Sequence, residues 1–491
     1  MPLHQHLGQA TNFRQRIVSM LLLCIFSFLI GCGEDNKKKK AAVPFWEKPV
    51  QLDLEGIKKR GFIRAVVDNS STSYYIYRGR RMGYEYELLR NLAKQLDVQL
   101  RLIVNEDIEK AFKMLNNGKA DIVAINLVVN EERKKYGSFT TKLNLLSSVL
   151  VQSRKTPVLD SLQQLDNKTV YVRKSAVYKD QLTLLEDSLQ IDIDIVETPK
   201  NSDELVDDVV MENIDFTLVD EDVALVNSTY YSEIDIGLHI NAPSPVAWLV
   251  RKNSPNLLAA VNDWIDKGKQ STYFAILYGK YFLNKKNSYY RNKSPFSSIS
   301  GDQISKYDEL IKKGGDYLGW DWRLLASLVY KESRFNTEAT SYAGARGLLQ
   351  LMPVTLERFG VENPNDPSES LMGGVRYLKY LDKFWLERVP ETNERIKFIL
   401  ASYNVGHGHV NDAWRLALKF GKDTRRWSDV AYYLERKSQP KYYRDPVVRS
   451  GYAKGHLAVA YVRDILSIYE SYRILVNPYP KKIEDQPLAS N

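Results

Sequence analysis

The sequence changes its hydrophobic pattern near residues 284–300, and this change constrains the fold more than any other feature. Before it, short β-branched runs alternate with amphipathic segments, from Phe62–Val67 to Ala247–Val250. Such alternation predicts strands joined by crossover helices, which is a parallel sheet in an α/β fold. After it, strand-like runs stop, and the segments between Ile304 and Glu470 have helical periodicity. The sequence therefore predicts a multidomain protein, with an α/β region followed by an all-α region.

Composition marks the boundaries of these regions. Residues 284–300 are rich in Asn, Lys and Ser, which is typical of a linker between domains. With 491 residues, the chain is long enough for two or three domains that each have a core. We therefore predict an α/β domain over residues 54–283, a linker over residues 284–300 and a helical domain over residues 301–491.

The first 31 residues have the pattern of a secretory signal peptide. Two arginines precede an apolar run from Ile17 to Ile30, which is too short for a comfortable membrane span. The run ends in Leu29-Ile-Gly-Cys32, which resembles the bacterial lipobox, in which cleavage leaves a cysteine that carries lipid. The resemblance implies a lipoprotein that begins at Cys32, and Gly33 in place of Asp implies the periplasmic face of the outer membrane. The alternatives are an ordinary signal peptide and an uncleaved anchor.

Residues 32–53 are polar and are predicted to form a flexible tether. Four consecutive lysines, Lys37–Lys40, account for nearly half of the formal net charge of +9. The charge is therefore weak evidence for a nucleic-acid partner, and no basic and aromatic module of that kind is present. Because Cys24 lies in the part removed on cleavage, the mature chain has no thiol left for a disulfide or a metal site.

One carboxylate in the helical region has the position expected of a general acid. Leu325, Leu328, Val329 and Glu332 recur at helical spacing, so the carboxylate of Glu332 shares a face with apolar residues. Such burial raises a carboxyl pKa and keeps a proton available near neutral pH. A lone Glu near a helix end more often reaches solvent, so other residues must decide between the two interpretations.

Two later stretches favour the catalytic interpretation. Gly344-Ala-Arg-Gly-Leu-Leu-Gln-Leu-Met-Pro353 and Ala401-Ser-Tyr-Asn-Val-Gly-His-Gly408 follow Glu332-Ser333 in order. The three stretches resemble the motifs of the lysozyme-like transglycosylase domain, with Leu349 and Ser402 as small departures. The resemblance implies that Glu332 protonates the leaving glycosidic oxygen and then accepts the proton of the muramyl O6. It implies a 1,6-anhydromuramyl end on peptidoglycan glycan strands, made without water, and needs neither a metal nor another cofactor.

The same resemblance implies the residues that hold the glycan. Gln350, Tyr403 and Asn404 match cleft residues that hold the sugar and its amide group. Ser333 is expected to contact substrate or cap its helix, because it lies on a different side of the helix from the acid. Gly451-Tyr452 resembles a fourth motif, whose tyrosine points at the catalytic Glu.

Two other functions stay open at this point. A hydrolytic muramidase would pair the acid with a second carboxylate, and the candidates in sequence are Asp316, Glu338, Asp366 and Glu369. None of them falls in a recognisable motif. The second alternative is a non-catalytic sensor lipoprotein that binds the cell wall.

The first domain, roughly Leu54 to Phe282, resembles the two-lobe periplasmic amino-acid-binding proteins. Val128-Val-Asn-Glu-Glu-Arg133 matches a stretch whose Arg binds a ligand carboxylate, and Val219-Asp220 matches a stretch whose Asp binds the α-ammonium. Ser175, after a strand, is expected to add a backbone donor at a helix N-terminus. Each charge alone would be an ordinary surface charge, but the pair implies an amino-acid or muropeptide effector that regulates lysis.

Overall fold

The computed structural model describes residues 44–174, 176–229, 231–284, 291, 294–299 and 301–476. The chain divides into two units after Lys48, and both predicted domains lie in the second. The predicted signal peptide and Cys32 lie outside the described residues, as does Ser175. No helix in the described ranges is both long enough and apolar enough to cross a membrane.

The described residues of the N-terminal domain form thirteen strands. In chain order they are β1 (Phe62–Val67), β2 (Tyr75–Tyr77), β3 (Arg80–Met82), β4 (Gln99–Val104), β5 (Ile122–Val128), β6 (Ser138–Phe139), β7 (Asn144–Leu146), β8 (Ser148–Ser153), β9 (Lys168–Arg173), β10 (Ile193–Thr198), β11 (Phe216–Asp220), β12 (Ile234–Asp235) and β13 (Ser244–Val250). One sheet has the order β4-β1-β5-β13-β6, with β7 also paired to β13, and a second has the order β10-β9-β11-β8-β12. β2 and β3 form a separate hairpin.

Eight helices accompany these strands. They are α1 (Leu54–Arg60), α2 (Tyr84–Gln95), α3 (Ile108–Asn116), α4 (Tyr178–Leu189), α5 (Ser202–Val210), α6 (Glu221–Ser228), α7 (Pro255–Lys269) and α8 (Thr272–Tyr278). Capping side chains start three of them, α1, α3 and α5. The Asp107 carboxylate accepts a hydrogen bond from the Lys110 N–H at 2.9 Å, which starts α3 and lets Ile108, Ala111 and Leu115 face the core.

The two larger sheets are two lobes, and the chain crosses between them twice. It enters the second lobe at β8 and returns to the first at β13, and both strands run antiparallel to their neighbours β11 and β5. The α/β prediction is confirmed, but both sheets are mixed rather than parallel. The predicted strand Ala247–Val250 is part of β13 and belongs to the first sheet, because periodicity identifies a strand without identifying its partner.

The predicted tether and linker are both partly attached to the domain. In the tether, the Val50 N–H donates to the Asn116 carbonyl at 2.9 Å, and the Leu52 carbonyl accepts from Arg251 at 2.8 Å. In the linker, residues 294–299 run beside β2, where the Ser298 N–H donates to the Ile76 carbonyl at 2.9 Å. The folded region therefore begins before Leu54, and this part of the linker is attached to the β2–β3 hairpin.

The C-terminal domain is helical, as predicted. Its described residues, 301–476, form nine α-helices: α9 (Asp308–Leu318), α10 (Trp322–Ser333), α11 (Pro353–Arg358), α12 (Pro367–Leu386), α13 (Thr392–Val405), α14 (His407–Lys419), α15 (Trp427–Glu435), α16 (Pro440–Tyr443) and α17 (Gly455–Leu475). α10 packs between α9 and α17, and its apolar face closes the core of this domain.

One hydrophobic core continues from the first domain into the second. Tyr74, Tyr75 and Ile76 of the first domain belong to the same buried cluster as Leu325 and Tyr472 of the second. The Tyr472 hydroxyl also donates to the Gly79 carbonyl at 2.6 Å. The β2–β3 hairpin and strand β4 of the first domain therefore lie against helix α17 of the second.

Candidate active site

Helix α10 presents Glu332 at its C-terminal end. The helix begins at Asp321, whose carboxylate accepts from the Arg323 N–H at 2.9 Å, and it ends at Arg334, which has a φ of 53°. Leu325, Leu328 and Val329 are fully buried, as their helical spacing predicts. Glu332 continues this face but is only partly buried. Its carboxylate therefore lies at the border between the core and solvent.

Two opposing effects set the protonation of Glu332. Burial raises the pKa of this carboxyl to about 7, while a hydrogen bond from the Tyr461 hydroxyl and the charge of Lys331 act to lower the pKa. Lys331 itself is bonded to Asp464, with 2.7 Å between Nζ and Oδ2, so its charge is partly neutralised. The carboxyl can consequently give and take a proton near neutral pH, which general acid–base catalysis requires.

The loop from Gly344 to Pro353 is a tightly held turn. Gly347 has a φ of 78°, and a Cβ at this position would lie 2.2 Å from the Pro364 carbonyl oxygen. Gln350 also has a positive φ, of 45°, and its amide nitrogen donates to the Ala339 and Gly347 carbonyls at 2.8 and 3.0 Å. Gln350 therefore stabilises the turn through these two hydrogen bonds. A contact between Gln350 and a sugar stays a prediction.

Tyr403 joins this turn to the end of helix α13. Its hydroxyl donates to the Leu349 carbonyl at 2.5 Å. Burial raises its pKa well above the ordinary value, and the nearby charge of Glu332 raises the pKa further. Asn404, the next residue, is exposed at the C-terminal end of α13. The three sequence motifs thus meet around the Glu332 carboxyl.

Tyr461, which the sequence analysis did not select, is the tyrosine that contacts the acid. Tyr452 was expected to point at Glu332, but it is 53% exposed and its ring packs edge to face on Tyr443. The observed hydrogen bond to Glu332 comes from Tyr461 instead, and a contact between Tyr452 and substrate stays a prediction. The helical spacing of Tyr461 with the buried Ile465 and Ile468 in α17 was the available signal.

Ser333 lies mostly inside the helical domain. It is 8% exposed, and its hydroxyl donates to the Val329 carbonyl one turn earlier at 3.3 Å. The hydroxyl is therefore bonded within its own helix. A contact between Ser333 and substrate stays a prediction.

The candidate second carboxylates have other positions or partners. Asp316 is exposed on α9, and Glu338 accepts from the Asn365 side chain at 2.6 Å. The Asp366 carboxylate caps α12 by accepting from the Glu369 N–H at 2.8 Å. Glu369 accepts from the backbone N–H of Asn363 at 2.8 Å. These contacts give the last three carboxylates structural roles in the loop and at the start of α12.

Arg133 and Asp220 line one small cavity between the two lobes of the first domain, the cleft cavity, with a volume of about 40 Å³. Burial raises the pKa of Asp220 to about 6, while Tyr178 and the Arg133 guanidinium act to lower the pKa. The Arg133 guanidinium also donates to the Val128 carbonyl at 3.3 Å. The structure thus brings the predicted pair together.

Two contacts that were not predicted close the cleft. The Arg173 guanidinium, at the end of β9, forms a buried ion pair with Asp68 of the other lobe at 3.0 Å. Ser71 of the first lobe donates through its N–H and its hydroxyl to Asp203 of the second, both at 2.9 Å. Cross-lobe pairing of side chains depends on the tertiary fold and has no local sequence signal.

No group of three or more His, Cys, Asp or Glu side chains in the described part of the chain could hold a metal ion.

Comparison with known proteins finds two families along the chain. The transglycosylase SLT domain matches residues 309–425, and the bacterial extracellular solute-binding proteins, family 3, match residues 63–284. Both resemblances found in the sequence are therefore confirmed.

Curated relatives match both regions together. A protein of Desulfosudis oleivorans named "Membrane-bound lytic murein transglycosylase F" is 32% identical over 417 residues, which cover 84% of this chain and 90% of that protein. A relative with the same name from Stutzerimonas stutzeri is 31% identical and covers 98% of this chain and 95% of that protein. Among solved structures, an ancestral arginine-binding protein bound to arginine is 21% identical and covers 45% of this chain and 99% of that chain, with a TM-score of 0.41.

Proposed function

Because the chain belongs to the family of membrane-bound lytic murein transglycosylase F, we propose that it cleaves the β-1,4 bond between MurNAc and GlcNAc without water. Glu332 protonates the oxygen that leaves C1 of the muramyl residue. The muramyl O6 then attacks C1 and gives its proton to the Glu332 carboxylate, which restores the acid. The products are a free GlcNAc hydroxyl and a 1,6-anhydromuramyl end.

The observation that carries this proposal is the environment of the Glu332 carboxyl. Its pKa of about 7 suits a residue that acts first as an acid and then as a base. Among the described residues, Lys331 is the charged group that shifts this pKa, and no second carboxylate contributes to the shift. A hydrolase with two carboxylates at fixed separation would place a second acidic group nearby. The arrangement therefore favours attack by an internal hydroxyl over attack by water.

The glycan is proposed to lie over the meeting point of the three motifs. Asn404 is exposed there, and Tyr403 and Gln350 are partly exposed, so their polar groups can bind the N-acetyl groups of the sugars. Tyr452 and Ser333 complete the proposed set of substrate contacts.

The variant Glu332→Gln tests the role of the acid. Gln keeps the shape of the side chain but cannot deliver a proton, so turnover of peptidoglycan should fall by roughly 10²- to 10⁴-fold while the protein stays folded. Clearing of a peptidoglycan suspension measures the rate. Asp316→Asn and Glu338→Gln are matched controls and should change the rate far less. Retention of more than about a tenth of the wild-type rate in Glu332→Gln would remove Glu332 from the mechanism.

We further propose that an amino acid or a muropeptide in the first domain regulates lysis. The cleft cavity of about 40 Å³ has room for only a few water molecules, at roughly 10–15 Å³ each. A ligand that contacts Arg133 and Asp220 must therefore separate the lobes and compete with the Arg173–Asp68 ion pair. A ligand with different affinities for the closed and open forms shifts their populations, which is a physical basis for regulation.

Calorimetric titration of the full chain with amino acids and with muropeptides tests this regulation. Binding should be lost in Arg133→Ala and Asp220→Ala. The best ligand should also change the rate of lysis, through a coupling of roughly 5- to 150-fold in affinity. A ligand that binds without changing the rate on a soluble glycan would leave the first domain as a docking module only.

We also propose that Cys32 carries lipid and holds the protein at the periplasmic face of the outer membrane. This proposal rests on the lipobox-like sequence before Cys32 and on several acyl chains being sufficient for stable anchoring. Membrane fractionation of Cys32→Ser tests it, because an unchanged distribution would exclude lipid at this position.

A further inference from the structure

A cavity of about 650 Å³ lies between the β2–β3 hairpin of the first domain and helices α10 and α17 of the second. Its described lining is unusually basic and contains no Asp or Glu. The arginines that line it are Arg78, Arg80, Arg81, Arg90, Arg291 and Arg334. We call this space the arginine cavity. It is separate from the cleft cavity, with which it shares no lining residue.

The backbone that carries these arginines is held in place from several sides. Gly79, at the turn of the hairpin, has a φ of 72°, and a Cβ there would lie 2.5 Å from the Phe335 ring and 2.9 Å from the Tyr330 ring. Arg81 donates to the Ser467 hydroxyl on α17 at 2.9 Å. Arg334 is fixed at the left-handed end of α10. The guanidinium groups therefore project from anchored positions rather than from a free loop.

Several of these charges lack a protein counter-charge. Among the described residues, the guanidinium groups of Arg78, Arg80 and Arg334 have no ion pair or hydrogen bond, although that of Arg78 lies over the Tyr77 ring. Arg90 is 3.8 Å from Glu87, and that carboxylate is held more closely by Lys280, at 2.6 Å. Like charges held together in a cleft raise the local concentration of anions.

Three of these arginines affect the same side chain, Tyr330. Burial raises the pKa of its hydroxyl, whereas the charges of Arg334, Arg80 and Arg81 act to lower the pKa. Arg80 and Arg81 come from the first domain, and Arg334 comes from the catalytic helix. Tyr330 and these three arginines all line the arginine cavity, so an anion held there lies among charges from both domains.

We propose that the arginine cavity binds a ligand with two or more carboxylate or phosphate groups, which bridges the hairpin and the end of helix α10. Guanidinium forks match both groups through paired N–H donors. The site is distinct from the glycan site. Tyr330 and Glu332 are two residues apart on α10, so their side chains point roughly 200° apart around the helix axis. Tyr330 lines the arginine cavity, whereas Glu332 contacts Tyr461.

The position of the hairpin gives such a ligand a route to both functional sites. The loop before β2 contains Ser71, which bonds to Asp203 across the cleft. The tip of the hairpin touches Tyr330 and Phe335 at the end of the catalytic helix. A bridging anion would stabilise the contact between the hairpin and α10. It would therefore favour the arrangement in which the two domains touch over any arrangement in which the hairpin leaves α10.

Calorimetric titration of the full chain with tripolyphosphate and with tetraglutamate tests the site and distinguishes the two sources of anion. At least one probe should bind, and binding should weaken as salt is added. Arg80→Gln and Arg334→Gln should each weaken it by at least about tenfold. Arg425→Gln removes an exposed arginine of the helical domain and should leave binding unchanged, as should Arg133→Ala in the cleft cavity.

Binding of tetraglutamate in preference would identify an acidic peptide as the natural ligand class, and preference for tripolyphosphate would identify a phosphate compound. The proposal is overturned if neither probe binds, or if Arg80→Gln and Arg334→Gln bind like the wild type. Loss of binding in Arg133→Ala alone would also overturn it, since that result would place the anion in the cleft cavity.

Discussion

In the proposed mechanism Glu332 must lose a proton, yet its carboxyl is held where the resulting negative charge is poorly solvated. The apolar face of α10 provides the burial, and the Tyr461 hydroxyl limits its effect. Both influences act on one carboxyl, so removal of either should move its pKa in a known direction.

The rate of lysis should follow the protonation of Glu332. Because its pKa is raised to about 7, the acid is present below this pH and is lost above it, so the rate should fall as pH rises through about 7. Tyr461→Phe removes a hydrogen bond that lowers the pKa, so the falling limb should move to higher pH. A pH–rate profile of both proteins checks this. A wild-type limb near 4.5, the ordinary value for Glu, would contradict it.

The sequence predicts Glu332 as the general acid, but it does not predict Tyr461 as the residue that donates a hydrogen bond to it. Glu332 could be selected because its apolar neighbours obey a local period and because two later stretches, Gly344–Pro353 and Ala401–Gly408, resemble known motifs. Tyr461 lies 129 residues further along the chain, and their hydrogen bond depends on how α10 packs against α17. The Arg173–Asp68 pair, 105 residues apart, was missed for the same reason.

Among the elements, the β2–β3 hairpin was the least predictable and is the main link between domains. Its strands have three residues each, too few for a strand period to be recognised. The helical character of residues 304–470 was predicted from the spacing of apolar residues, and it is confirmed. Strand β13 was found, but its sheet was not, since pairing is decided by tertiary structure.

Alanine at Gly79 should cost more stability than alanine at Gly61. Both glycines have a positive φ, of 72° and 81°, so both variants lose about 1–2 kcal/mol from backbone strain. Only Gly79 has neighbours within 4 Å of the new Cβ, namely Phe335, Tyr472 and Tyr330. The crowding should cost roughly 1–3 kcal/mol more. Free energies of unfolding measure both, and equal losses would show that the hairpin does not press against the helical domain.

Across the whole molecule, the two domains are joined by a shared core and by the hairpin as well as by the chain. The sequence predicts two domains with a linker, and it gives no sign that residues 294–299 would pair with β2. The first domain is therefore in direct contact with the helical domain and is not joined to it by the linker alone. Ser71 bonds across the cleft, and the hairpin that follows it in the chain lies against Tyr330 of the catalytic helix.

If one carboxyl directs an internal attack, the products must differ in mass from those of hydrolysis. Purified peptidoglycan is digested with the full chain in heavy-oxygen water, and the fragments are analysed by mass spectrometry. Internal attack gives muramyl ends that lack one water and carry no heavy oxygen, and Glu332→Gln should give no such ends. Muramyl ends that retain the water and carry heavy oxygen at C1 would instead identify a hydrolase and overturn the proposed reaction.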